Sequence, residues 1–193
     1  PEKGLCGSLI TNLNKEIIKL PAEATYVAIG KRAAATLHRL KRKVVAEFHL
    51  SDRCRFAELS GASELMLKMY RSGEVDSFEI LFASFISALK QEPTVETLLP
   101  MTNIQSILDG FKKDYTADAP IKDDKRPFII EPSAMEVLEG LIPLYLKQEF
   151  YHTALEAKAS EHSARMVAMK SATDNAKQLA DGLTLSFNKA RQA

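Results

Sequence analysis

Residues 155–190 read LEAKASEHSARMVAMKSATDNAKQLADGLTLSFNKA, a stretch with no proline and a single glycine, Gly182. Steps of four and three residues taken alternately from Leu155 pass through Ala159, His162, Met166, Met169, Thr173, Ala176, Ala180, Leu183, Phe187 and Ala190. This is a 3.5-residue repeat sustained over five heptads, the period at which one helix offers a narrow seam to another. Alanine at many seam positions favours close approach of a neighbouring helix over burial in a wide core. A helix so thinly apolar is marginal alone in water. The stretch therefore predicts one strand of a coiled coil whose partner helix lies outside these residues.

Upstream of the seam, Ser133 and Glu136 form an S-x-x-E capping box directly after Pro132, which predicts a helix start. Pro143 is the strong breaker inside that helix, and a kink or short break is expected near Gly140 to Pro143, with a fresh start at Pro143. The 51 residues from Pro143 to Ala193 would run about 75 Å as a helix, longer than a domain of this size is wide. The expected organisation is a globular α/β domain over 1–132 and a long C-terminal helix over 133–193.

Toward the N-terminus, Leu9, Leu13, Ile17 and Leu20 share one helical face within residues 5–20, and Pro21 closes the segment. Ala24 to Gly30 is a short, partly β-branched run. A helical stretch, Lys31 to Leu40, follows it, and then a second strand-like run, Lys43 to His49. A helix is expected over Ser60 to Arg71, ending at Ser72-Gly73, and a long hairpin or meander from Phe78 through the segment after Pro93. Residues 109–126 read as a surface loop, and Phe128-Ile129-Ile130, between two prolines, as an edge strand. Alternating strands and helices of these lengths predict a Rossmann-like body with a mixed or parallel sheet.

The chain has 193 residues, enough for one ordinary core. Its 26 basic and 25 acidic residues leave a formal net charge of +1, so there is no global field that would draw it to nucleic acid or anionic lipid. The two cysteines, Cys6 and Cys54, fit neither a metal-ligand spacing nor a disulfide framework, which suits a reducing compartment. No run of 18 or more apolar residues occurs, and Pro1-Glu2-Lys3-Gly4 lacks the features of a signal peptide; the missing initiating Met fits a fragment.

Catalytic motifs are scarce. Ile29-Gly30-Lys31-Arg32 follows a strand and opens a helix, but it lacks the remaining P-loop glycines and a Ser/Thr after the lysine. Gly4-Leu5-Cys6-Gly7-Ser8 could present amides to an anion, yet without G-x-G-x-x-G spacing its simpler reading is a tight turn into a helix. Cys6 near a helix start and Cys54 between Arg53 and Arg55 are candidates for activated thiols, with structural cysteines as the plainer reading. His38, His49, His152 and His162 stand in no metal-binding context. Arg39 to Lys43 is a basic run that solvation and helix capping explain. Neither a cofactor nor a metal site is expected.

The run Ala159 to Ala176 (ASEHSARMVAMKSATDNA), together with Leu185 to Ala193 (LSFNKARQA), closely resembles the C-terminal helix of the F-type ATP synthase gamma subunit, in its bacterial form. Gly4-Leu5-Cys6-Gly7 with Asn12 and Leu13, Ala28-Ile29-Gly30, Gln91-Glu92-Pro93-Thr94 and Leu98-Leu99-Pro100 follow the same family in order, so the resemblance covers essentially the whole chain.

The resemblance implies a central-stalk rotor subunit with no catalytic site of its own, carrying torque between a proton-driven membrane c-ring and the alpha/beta ring. It also implies that the family's N-terminal helix and first strand, and its last helical turns, are absent from this stretch. That N-terminal helix would be the antiparallel coiled-coil partner. Alpha, beta and epsilon subunits and the c-ring would be the other partners, at the cytoplasmic face of a bacterial inner membrane. By position in the family, Arg191 and Gln192 correspond to a polar catch on a beta-subunit loop, and Tyr145 and Glu149 to the foot that meets epsilon and the c-ring. Neither nucleic-acid nor direct nucleotide binding is implied. The rival from the fold alone is a small α/β nucleotide-dependent enzyme.

Overall fold

The computed structural model describes residues 1–101, 131 and 133–192. Its elements, in order, are α1 (Leu9–Lys19), β1 (Thr25–Ile29), α2 (Lys31–Arg39), β2 (Lys43–Phe48), α3 (Phe56–Arg71), β3 (Phe78–Phe85), β4 (Gln91–Leu99) and α4 (Ala134–Gln192). The mixed α/β class expected from the alternation holds. Among the described residues, however, the strands form two small sheets: β1 pairs with β2, and β3 with β4. The expected surface loop and the expected strand 128–130 lie outside the described residues.

The β1–α2–β2 unit is a parallel pair joined by a helix, in register from Thr25 opposite Lys43 to Ile29 opposite Phe48, with an irregularity between Tyr26 and Val27. A parallel pair needs such a crossover connection. The chain divides into two compact units. The first comprises Pro1–Ala62, Leu81–Val95 and the residues from Tyr151 onward; the second comprises Ser63–Ile80 and the described part of Glu96–Phe150.

In the first unit α1 faces two apolar clusters. Leu9 and Leu13 pack with Cys6, Ala83 and Ala164, and one turn further along Ile17 packs with Ala28, Ala34 and Leu37. These α1 residues are the face that the 3.6-residue period marked. The turn joining β3 to β4 is pinned to α4. The Glu156 carboxylate accepts the Ser84 hydroxyl at 2.7 Å and the Phe85 N–H at 2.9 Å, and the Ser163 hydroxyl donates to the Ala88 carbonyl at 3.0 Å.

Two boundaries differ from expectation. α3 starts at Phe56, not Ser60: Gly61 lies inside the helix, where an added Cβ would come within 3.2 Å of the Phe48 ring, so the glycine provides close packing and does not mark an end. Of the kink or break expected at Pro143, the break does not occur: α4 runs through that residue as one helix and spans 59 residues, about 88 Å at 1.5 Å per residue. Proline removes one backbone hydrogen bond from a helix. Leu146 and Phe150, one and two turns later, are both buried and hold that stretch of helix in place. The capping box forms as read: the Ser133 hydroxyl oxygen accepts the Glu136 N–H at 3.3 Å and donates to its carboxylate at 2.8 Å.

Candidate functional site

α4 shows two opposed faces along its middle. Thr153, Ser160 and Ala164 are buried, whereas Leu155, Ala159, His162 and Met166 on the opposite arc are exposed. At 100° per residue, the seam faces away from the core that holds the helix. Beyond Met169 the exposure encircles the helix, for every residue from 169 to 187 is exposed. Met166 (60%), Leu183 (70%) and Phe187 (67%) are large apolar side chains open to solvent at seam positions. An apolar row of this regularity, left open, is a surface for another helix.

The middle of this helix is locked by a charge cluster. Buried Glu161 accepts the backbone N–H groups of Glu2 at 3.4 Å and Lys3 at 3.3 Å, pairs with the Arg165 guanidinium at 2.5 Å, and lies 3.8 Å from the buried Lys158 ammonium. Arg165 Nε also donates to the Gly4 carbonyl at 3.3 Å. Burial alone would raise the Glu161 carboxyl, but the Arg165 bond and the Lys158 charge more than offset it and hold it below the usual glutamate range. The SEHSAR run thus reads structurally as a clasp between α4 and residues 2–4. Glu161 lies off the seam, so the heptad period does not mark it; its signal in the sequence is the i,i+4 Glu–Arg spacing.

The expected contact residues are arranged as follows. Arg191 and Gln192 are exposed in the last turn of α4, and among the described residues no carboxylate pairs with the Arg191 guanidinium. Tyr145 and Glu149 are four residues apart on one face of α4, both half-buried. Burial pushes the Tyr145 phenol up, with the Glu149 and Glu96 carboxylates adding to the effect.

Parts of the motifs that suggested chemistry are engaged within the chain. At the start of α2, the Glu2 carboxylate accepts the Lys31 N–H at 3.3 Å, the Pro1 carbonyl accepts the Arg32 N–H at 3.2 Å, and the other Glu2 oxygen accepts the Leu50 N–H at 3.0 Å. The place where a phosphate would meet a helix N-terminus after a strand is filled by the protein's own carboxylate. Cys6 is buried in the α1 cluster, and burial pushes the Cys54 thiol up, the reverse of activation. No group of three or more His, Cys, Asp or Glu side chains among the described residues could hold a metal ion.

Comparison with known proteins places this geometry. A family model described as ATP synthase matches residues 1–193. The ATP synthase gamma chain of Opitutus terrae is 44% identical over the whole chain, and that of Methylacidiphilum infernorum is 40% identical over 99% of it. This chain belongs to the ATP synthase gamma family. It spans 66% of the length of each of those two gamma chains. Among solved structures, the central stalk/c-ring of the Tetrahymena thermophila mitochondrial ATP synthase matches 89% of the chain and 72% of its own at TM-score 0.63 and 21% identity. The rotor of the Euglena gracilis enzyme matches 99% of the chain and 70% of its own, at TM-score 0.63 and 18% identity. These two likenesses concern the gamma fold.

Proposed function

We propose that this chain is the shaft-forming part of a central-stalk rotor subunit, transmitting torque between a proton-driven membrane c-ring and the catalytic alpha/beta ring of an F-type ATP synthase. The observation that carries this reading is the exposed seam of α4: a regular apolar row on a helix far longer than its own core requires. In this reading the antiparallel partner is the subunit's own N-terminal helix, and the pair stands inside the alpha/beta ring. The globular body, residues 1–132, meets the epsilon subunit and the c-ring with the help of Tyr145 and Glu149 at the base of the shaft. The chain works at the cytoplasmic face of a bacterial inner membrane, as a peripheral subunit. No helix among the described residues is long and apolar enough to cross a membrane.

The mechanism is mechanical. An asymmetric shaft that touches each beta subunit differently as it turns makes their nucleotide sites open and close in sequence, because contacts that differ between states shift the equilibrium between them. Arg191 suits such a changing contact. Its guanidinium offers a planar fork of donors to a carboxylate and stays charged whether engaged or released, and Gln192 adds a neutral donor and acceptor beside it.

In the complete complex, Arg191→Ala is expected to weaken assembly or rotary coupling while leaving the chain's own fold unchanged, since the side chain is solvent-facing. Unaltered ATP synthesis and hydrolysis would remove the catch assignment. The rival reading, a small nucleotide-dependent enzyme, needs a phosphate cradle, and the Glu2 carboxylate seated on α2 argues against one. Calorimetric titration with ATP and Mg²⁺ separates the two: no heat of binding is expected, and stoichiometric binding would overturn the shaft-only account.

A further inference from the structure

The C-terminal end of α3 and the first third of α4 border an open groove of about 570 Å³, all of whose lining belongs to the second unit. Leu67 and Pro143 give it an apolar lining, and Lys68, Arg71 and Lys147 make it basic. The Lys147 ammonium is 3.4 Å from the Glu64 carboxylate, the acidic residue of the groove, so that pair is internally neutral. Lys68 and Arg71 are exposed, and no carboxylate among the described residues pairs with either. Cations in the last turn of α3 complement its dipole, which accounts for their place on that helix.

Two unpaired cations over an apolar lining select a ligand that carries both kinds of group. A free phosphate could take the cations but would leave the apolar lining unused, and a nucleotide base would need a ring to stack on, which is not among the described residues that line the groove. A flat anionic bilayer would meet the Glu64 carboxylate, which lines the same groove. We propose that the groove docks an acidic, extended segment of a partner protein, its carboxylates on Lys68 and Arg71 and an apolar side chain against Leu67 and Pro143. Rim charges of this sort set the rate and selectivity of docking more than its depth. The partner meets a face of α4 different from that of Tyr145 and Glu149. Pro143 and Lys147 form one i,i+4 row, and the Tyr145–Glu149 row is offset from it by two residues, about 200° around the helix. The proposal does not depend on the coiled-coil seam or on Arg191.

The test is carbodiimide coupling, which joins an amine to a carboxylate in direct contact, applied to the complete subunit in its assembled complex and read by peptide mass spectrometry. The amide between Lys147 and Glu64 within the chain is the internal standard. The expected result is an added amide from Lys68 to an Asp or Glu of another chain. Arg71→Glu, which keeps the Lys68 amine, should lower the yield of that amide, and the double variant Lys68→Glu/Arg71→Glu should weaken docking of that chain roughly three- to thirtyfold, in a salt-dependent way. Lys68→Gln/Arg71→Gln, which removes charge without reversing it, should show the smaller part of the same loss. The idea is overturned if the internal standard forms with no interchain amide at Lys68. It is equally overturned if the variants lose binding to phosphatidylserine-containing vesicles while no protein adduct appears. Recovery of the alpha/beta ring with the subunit is scored separately and bears on the rotor reading alone.

Discussion

At Glu161 one carboxylate serves two backbone amides and a guanidinium while lying next to a buried ammonium. Removing one member of a buried ion cluster costs more than the cluster contributes, because the remaining charge keeps its desolvation penalty without its partner. Glu161→Ala, which leaves Lys158 buried without its counter-charge, should therefore destabilise the fold by about 3 kcal/mol in urea unfolding. The pH dependence follows from the depressed carboxyl. Its stabilisation is complete above the ordinary glutamate value of 4.5 and is lost as pH falls through the lower value of the folded state. The wild-type chain should thus lose stability on acidification below about pH 4.5, and Glu161→Ala should flatten that part of the curve. Equal acid slopes in the two proteins would refute the assignment. The Glu2 carboxylate is a similar case, invisible to pattern reading: its partners, Lys31 and Leu50, lie 29 and 48 residues away, and no spacing rule links them.

At the scale of the element, α4 was legible because it obeys two local rules, a capping box and a heptad repeat. Gly182 breaks helix propensity with no compensating contact; a Cβ there would meet nothing within 4 Å. Gly182→Ala should therefore add about 1 kcal/mol to local helix stability. Amide exchange of residues 175–190 measures it, and unchanged exchange would show that something other than propensity limits this stretch. Pro143 and Gly61 were harder to read, for one physical reason. A breaker residue states a local cost, whereas buried Leu146 and Phe150, or the Phe48 ring against Gly61, supply the tertiary context that decides whether the cost is met. The strands were readable as segments, but their division into β1–β2 and β3–β4 was not, since pairing between distant segments leaves little trace in a short apolar run.

Across the whole molecule, the distal half of α4 carries an apolar seam that no other described residue covers. Leu183→Asp makes the distinction measurable. In this chain the side chain is open to water, so the substitution should change unfolding stability by less than about 0.5 kcal/mol. In the full-length subunit, where the seam is expected to be paired, the same change should cost roughly 2 kcal/mol or more. Equal effects in the two lengths would mean that the seam pairs with nothing.

The burial of Cys6 and Cys54 has a practical side. They are the chain's two cysteines, and both are shut away from solvent. A cysteine introduced at Met166, Leu179 or Phe187 would therefore be the one thiol open to a maleimide or a tether. This chain is thus a ready-made background on which a dye, a bead or a crosslink can be attached at a chosen height along α4.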